Sequence, residues 1–523
     1  MIINSTFITL ILLFIGLYYL SLFLISFGYK NKFDDEIESK YFFFILIPAK
    51  NEEKVIKNTI ENFLKFKNRN FRLIIINDNS NDLTRDIVLS FLKRDERVML
   101  FDKIIKKRKG GKGEVLNFGF EQIMNLIRNN FLEPLNLNSD FLKKYDFDHI
   151  IISIYDADST PDANTISKIS KYFNFLKVDA LQTLVRISNR EQNLLAKMQD
   201  IEFIGFSRVI QKGRSVIGSV GLGGNGQFVK LSSLLKLGIN PWGDTLTEDL
   251  EMGLKLISLG MKIGYCDDII TEQEGVLNLK SLIIQRSRWL QGHLTNWKYI
   301  YKILKSKSNF ITKLDSIFYL TFVSSIVLIT LSWLFSILSF VKFLFIKNYI
   351  IEYFSNIHNL LGIVVIIIFS FTFLPIFFYG VKDFYKKNLL SKIFNILIFA
   401  FYTYIWIPSF FVGLYKLILG NEYWIKTERY AVQLSFENIN IENFNERRFY
   451  KRLPFFSFNI IENKPVFLLD YSEGGLGFLI NKSFNIEKII NIDIKELNLN
   501  RKGEIVYKMP INNSLLRVGV KFI

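Results

Sequence analysis

The chain reads as an α/β domain flanked by membrane-length apolar helices and followed by a small β-barrel. Three observations predict this. From Tyr41 onward, short apolar runs (FFFILIPA, FRLIIIND, HIIISIYDAD, DALQTLVRI) alternate with helical stretches after Asn51 and Asp82, the texture of strands joined by helices. Residues 6–28, 317–346, 357–380 and 392–419 are apolar segments of bilayer-spanning length. Residues 447–523 break into short alternating runs (FFSFNI, KPVFLLD, GLGFLI, GEIVYKM, LLRVGVKFI) separated by turn residues, as in a small antiparallel barrel.

Composition points the same way. Half of the 523 residues are hydrophobic, which is high for a soluble protein and directs the chain to a lipid bilayer. The net charge of +17 comes from 66 basic against 49 acidic residues. Those basic residues are scattered and accompany no nucleic-acid motif, so no nucleic-acid partner is expected. The single cysteine, Cys266, cannot form an internal disulfide. His149, His293 and His358 are too far apart in sequence to suggest a histidine metal site.

In chain order, residues 1–28 carry the first helix, uncharged from residue 6 and without a basic leader or cleavage signature, and so expected to be a retained anchor. Lys30 and Lys32 place its far end in the cytoplasm. Residues 41–305 form the cytoplasmic α/β domain, closing on an interface helix, and residues 306–420 form the membrane region. Segment 392–419 has basic residues on both sides (Lys382, Lys386, Lys387 and Lys392 before it, Lys426 and Arg429 after it) and contains Pro408. It is therefore expected to be a re-entrant or interfacial broken helix, leaving three full crossings of the cell membrane with both folded domains inside. A linker, residues 421–446, leads to the barrel at 447–523.

Acidic and basic residues recur at the ends of the predicted strands, where open α/β sheets bind ligands. Asp78 closes IIIND beside Asn77, one strand after IPAKNEE with its Glu52. Asp156-Ala157-Asp158 follows the next apolar run, and two carboxylates at that spacing can turn toward one hard cation, Mg²⁺ or Mn²⁺. Thr245 and Glu248 read as a capping box opening a helix near Asp249, whose positive end would keep that acid ionised. Gln285, Arg288 and Trp289 fall at i, i+3 and i+4, on one helix face. Lys112 sits in KRKGGKGEVLN, which is not a Walker A loop because no Ser or Thr follows the lysine. Gly221–Phe228 (GLGGNGQF) admits two readings, a close approach of an acceptor to the backbone or a tight glycine turn.

Taken in this order and ending on QxxRW at Gln285, Arg288 and Trp289, the motifs resemble those of processive family-2 glycosyltransferases, the group of bacterial cellulose, hyaluronan and poly-N-acetylglucosamine synthases. The likeness runs over residues 40–430. It implies a GT-A-type domain in which Asp78, Glu52, Lys112 and Asp156 hold a UDP-sugar donor and Asp158 holds Mg²⁺ or Mn²⁺. Asp249 would be the general base, with Glu248 and Asp156 completing the catalytic set, and Gln285, Arg288 and Trp289 would meet the diphosphate and a growing polysaccharide acceptor. The activity so implied is inverting, processive transfer from a UDP-hexose, with UDP-glucose favoured, into a β-linked exopolysaccharide. A poly-N-acetylglucosamine-type synthase is the enzyme alternative, and a silent receptor is the non-enzyme one. The complete set of acids speaks against the receptor. The FxVTxK gating loop of cellulose synthases is missing, with Trp424–Thr427 standing at the comparable membrane exit, so strict cellulose synthesis is not implied. Export subunits in the cell envelope are not specified by any residue.

The tail carries a second resemblance. Arg448 and Arg452 make an RxxxR spacing, and Asp470, Ser472 and Gly475 belong to a DxSxxG run at a strand end. Together they resemble a PilZ domain, which implies that these five residues bind cyclic di-GMP as an allosteric activator. Two arginine forks suit phosphates and guanine edges.

Overall fold

The computed structural model describes residues 2–29, 40–103, 111–321, 341, 345, 378–385, 389–420, 453–511 and 514–523. Most of the expected spans at 317–346 and 357–380, the segment Trp424–Thr427, and Arg448 and Arg452 lie outside the described residues. The first described element is helix α1 (Ile2–Gly28). The chain divides into two units, one built on residues 40–158, 230–244 and the tail, the other on the remainder up to Glu428.

The first unit begins with four parallel strands, β1 (Phe42–Ala49), β2 (Phe71–Asn77), β3 (Val98–Asp102) and β4 (Ile150–Ile154), in the order β3-β2-β1-β4. Helices α2 (Ile56–Leu64), α3 (Thr84–Leu92) and α4 (Lys112–Arg128) come between them in sequence. Nearly every strand residue is buried, which is why the runs are continuously apolar instead of alternating. The order reverses between β1 and β4. Such a switch point opens a crevice at the carboxyl ends of the strands.

The second unit holds a mixed set of strands, β5 (Thr160–Pro161), β6 (Ala180–Ile187), β7 (Gln227–Lys230) and β8 (Ile263–Gln273), in the order β7-β6-β8-β5. β6 is parallel to β8 and antiparallel to β7. Among the described residues its longer helices are α1, α5 (Thr165–Leu176), α6 (Leu194–Gly205), α7 (Glu248–Ser258), α8 (Leu279–Thr295), α9 (Leu389–Tyr402) and α10 (Trp406–Ile418). Leu22 of α1, Ile201 and Ile204 of α6, Leu282 of α8 and Phe399 of α9 share one apolar core. Among the described residues one helix, Leu389–Ile418, is long and apolar enough to cross a membrane, and Leu13–Phe27 is a shorter apolar helix. The break expected at Pro408 is only a short 3-10 turn, Thr403–Ile405, between α9 and α10. Pro408 falls in the first turn of α10, where a missing N–H is tolerated, and α9, the 3-10 turn and α10 follow one another over 30 residues.

The tail belongs to the first unit and is a six-stranded antiparallel sheet curled about its own core. Its strands are β9 (Leu453–Ile461), β10 (Lys464–Ser472), β11 (Gly475–Asn481), β12 (Ile489–Ile494), β13 (Leu499–Pro510) and β14 (Leu515–Phe522), in the order β12-β13-β14-β11-β10-β9. Phe455, Leu468, Phe478, Ile492 and Val518 fill the core. β12 was not among the expected strands. Its sequence, IINIDI, places Asn and Asp on the outer face, residues that strands disfavour, although its buried positions alternate strictly. β9 is anchored to the parallel strands. Arg85 forms a two-pronged ion pair with Asp102 and donates to the Pro454 carbonyl, and the Phe456 amide donates to Asp102 at 3.3 Å. Buried Gln122 accepts from the Phe458 amide, and Phe467 meets the edge of Phe101.

Candidate active site

The carboxyl ends of β1, β2 and β4 carry the expected donor residues on two interlocked loops. Asp78 N–H donates to the Ala49 carbonyl, Asn51 N–H to Ser80 Oγ, Glu53 N–H to Asp82, and Leu83 N–H back to Glu53. Asn51 and Asn79 adopt left-handed backbone, which asparagine tolerates at tight turns. The Asp78 carboxylate lies between Lys50 Nζ at 2.8 Å and Lys103 Nζ at 3.2 Å, and Lys103, itself buried, also reaches Glu114 at 3.2 Å. Burial alone would raise the Asp78 carboxyl, but the Lys50 hydrogen bond and the Lys103 charge outweigh it and hold it below the usual carboxylate value. Glu52 is buried in the same loop, its N–H bonded to Thr84 Oγ1 at 2.6 Å.

Asp156 and Asp158 follow β4 directly, and Thr59 of α2 pins the turn by donating to the Ala157 carbonyl at 2.7 Å. Lys112 is the first residue of α4, and its Nζ lies 2.6 Å from Asp156 Oδ1. Two residues 44 apart in sequence thus form one charge pair on the edge where a diphosphate would need both signs. Among the described residues no three His, Cys, Asp or Glu side chains group as metal ligands. Asp156 and Asp158 offer two hard carboxylates. That set fits Mg²⁺ or Mn²⁺ held jointly with substrate phosphates instead of in a full protein cage.

The expected catalytic and acceptor residues lie on α7 and α8 of the second unit. Glu248 and Asp249 are the first residues of α7, but the capping box does not form. Thr247 is the N-cap, no side chain caps the helix, and Thr247 Oγ1 accepts from Asn296 Nδ2 at 3.2 Å instead. That contact follows from α8 passing very close to Thr247. A Cβ built on Gly292 would fall 2.2 Å from Thr247 Oγ1, so only glycine fits there. Asp249 is partly exposed, and its Oδ1 accepts the Leu250 N–H at 2.8 Å. Glu251, one turn on, is buried. Burial would raise its carboxyl, but the Tyr299 hydroxyl at 2.7 Å and two lysines hold it low. On α8, Gln285, Arg288 and Trp289 are all partly exposed, whereas Arg286 between them is buried.

A model described as "Glycosyl transferase family group 2" matches residues 151–407, and one described as "Glycosyl transferase family 2" matches residues 44–125. The chain carries family-2 glycosyltransferase domains. An enzyme of sugar transfer follows from these domains. A β-monoglucosyldiacylglycerol synthase of Nostoc sp. is 29% identical over 287 residues, 53% of this chain and 55% of that protein. A protein of Bacillus subtilis described as a probable glycosyltransferase is 27% identical over 74% of this chain and 86% of its own length. A poly-β-1,6-N-acetyl-D-glucosamine synthase of Staphylococcus aureus is 27% identical over 52% and 59%. The chain thus spans little more than half the length of the Nostoc and Staphylococcus relatives.

Within the glycosyltransferase domains, the Gly221–Phe228 run bends at residues 224–226 and enters β7 at Gln227. Gly226 has positive φ, Gly223 N–H donates to Gln182 at 2.8 Å, and Asn225 is bonded to Ser159 and Gln273. In the tail, Asp470 is buried and paired with Arg517 at 3.0 Å, and Ser472 Oγ donates to the Gly475 carbonyl at 3.2 Å across the β10–β11 turn. Sequence reasoning missed Lys103, Asp102, Arg517, Glu202, Arg286 and Trp406. Arg286 was visible inside QRSRW, but no spacing distinguished it from its neighbours, and the others belong to no local motif.

Proposed function

We propose that the chain is an inverting, processive membrane glycosyltransferase that polymerises a UDP-hexose, UDP-glucose before others, into a β-linked polysaccharide, and that cyclic di-GMP activates it. The observation that carries the reading is the Lys112–Asp156 pair beside Asp158 and the lysine-flanked Asp78. These residues place both signs of charge on one strand edge, as a nucleoside diphosphate with its cation requires. Lys112 exchanges Asp156 for the diphosphate, Asp78 and Glu52 face the nucleoside, and Asp156 and Asp158 hold Mg²⁺ or Mn²⁺. The cation, when bound, shields the leaving diphosphate. Asp249 takes the proton of the acceptor hydroxyl as that oxygen attacks C1 of the donor sugar, which departs from UDP with inversion. Glu248 supports Asp249 on the same helix start, where the positive end favours carboxylates. Gln285, Arg288 and Trp289 receive the acceptor and compensate the leaving charge.

Two other products, one from a different donor sugar and one on a lipid acceptor, are suggested by specific relatives. The Staphylococcus protein is named for an N-acetylglucosamine polymer, and the Nostoc protein for a glucosylated diacylglycerol. Purified full-length chain given radiolabelled UDP-glucose or UDP-N-acetylglucosamine separates the three. Ethanol-insoluble label from UDP-glucose, lost with EDTA and increased by cyclic di-GMP, supports the proposal. Polymer from UDP-N-acetylglucosamine alone, or label extracted only into organic solvent with added diacylglycerol, replaces it with one of the alternatives.

A further inference from the structure

Beneath the QxxRW face lies a buried charge cluster that no motif announces. Glu202 of α6 accepts from three donors on three elements: Arg286 Nη2 of α8, the Tyr402 hydroxyl at 2.7 Å, and the Trp406 indole N–H at 3.0 Å. Arg286 is 1% exposed and touches two residues of the motif at once. Its guanidinium carbon stands 4.0 Å from the centre of the Trp289 ring, and its Nη1 donates to Gln285 Oε1 at 3.0 Å. Phe203 and Trp406 border the same indole at 6.1 and 6.4 Å between ring centres. Arg286 thus covers one face of an indole that remains partly exposed. It also fixes which end of the Gln285 amide is the acceptor, turning the NH₂ end away from itself.

We propose that Glu202 and Arg286 are positioning residues for a sugar acceptor, setting the plane of Trp289 and the direction of the Gln285 amide against which a pyranose ring stacks. The inference rests on the sugar-transfer reading above for its ligand class. A flat indole offers the apolar C–H face of a pyranose a platform, and an oriented amide donates to a ring hydroxyl. Both need a fixed orientation to discriminate, and a planar guanidinium locked by a carboxylate provides one. Lysine cannot replace it, because an ammonium neither stacks on the indole nor bridges two acceptors in one plane. A buried ion pair of this kind is not required for stability alone, since apolar residues of similar volume often serve as well.

The test uses the full chain in detergent, with cello- and chito-oligosaccharides as probes. Binding is followed by the tryptophan fluorescence change that Trp289→Phe removes, and the KM values for oligosaccharide and for UDP-sugar are measured separately. Arg286→Lys and Glu202→Gln should each weaken oligosaccharide binding about tenfold, the scale of one lost charge-assisted contact, with donor KM unchanged. Glu202→Asp should recover part of the loss. Oligosaccharide affinity unchanged in both variants, or donor and oligosaccharide affinity falling together, overturns the proposal, the second outcome marking a merely structural pair. If the wild-type chain binds neither oligosaccharide, the proposal also falls. Oligosaccharide binding without any sugar transfer would remove the transfer reading and leave the positioning role to be decided by the binding data.

Discussion

Asp249 is partly exposed at the start of α7, whereas Glu248 beside it and Glu251 one turn on are buried, and Glu251 is held by Tyr299 and two lysines. Asp249 is the general base in the proposed mechanism, and its partial exposure agrees with that role. Asp249→Asn should lower kcat about a thousandfold, within the range for loss of a general base, while donor KM stays close to wild type. Steady-state kinetics check it, and polymer yield near wild type would move the base elsewhere. His293 supplies a pH dependence. Burial, and then the charge of Arg214, push its imidazole down from 6.5 to about 4. Between those values the unfolded chain binds a proton that the folded chain refuses, so stability should fall as pH is lowered through that window and level off below it. His293→Phe, which keeps a ring against Tyr319, should flatten that slope in a thermal-unfolding series. A slope that survives the substitution belongs to another group.

At the scale of elements, two close approaches deserve measurement. α8 meets the Thr247 cap of α7 at Gly292, where an added methyl has no room. Gly292→Ala should cost about 1–3 kcal/mol by overpacking and lower kcat more than it raises donor KM, because the start of α7 must shift. Denaturant titration and kinetics read the two effects, and an unchanged melting midpoint would show that Thr247 yields easily. On the other unit, Asp102 at the end of β3 is 4% exposed in its side chain and holds Arg85, Asn77 and the Phe456 amide of β9. Asp102→Ala should destabilise by about 3 kcal/mol, since it leaves Arg85 without its buried carboxylate. It should also speed hydrogen exchange at the β9 amides of Phe456 and Phe458. Protection unchanged there would mean that Gln122 and the Phe101–Phe467 contact suffice to seat the tail.

Over the whole molecule, regulation is the test that joins the tail to catalysis. If cyclic di-GMP acts by favouring one arrangement of the enzyme, its effect on rate must vanish with its binding. Arg448→Ala and Asp470→Ala should each abolish binding by calorimetry and make synthesis indifferent to the nucleotide, with ligand-free activity retained. Ligand-stimulated synthesis at wild-type level in either variant would refute the regulatory role of the tail. Asp470 is paired with Arg517, so under the proposed regulatory reading Arg517→Ala, which removes the partner that orients Asp470, should weaken nucleotide binding as well.

Much of this was legible in the residues. Continuous apolar runs point to buried parallel strands, and acids placed just after them arrive together at one edge, because helical crossovers between strands make the strands parallel and align their carboxyl ends. Asp78, Asp156 and Asp158 therefore stand on the edge that the sequence predicts, and Gln285, Arg288 and Trp289 share the helix face that their spacing predicts. The partners were not legible. Lys103 on Asp78, Lys112 on Asp156, Glu202 under Arg286 and Asn296 on Thr247 are pairings across 25, 44, 84 and 49 residues. Period and composition report only what a segment does with its immediate neighbours. Which charge meets which, whether a threonine caps its own helix or serves another, and whether Pro408 breaks a helix are settled by packing, where a buried polar group must find a partner wherever the fold brings one within reach.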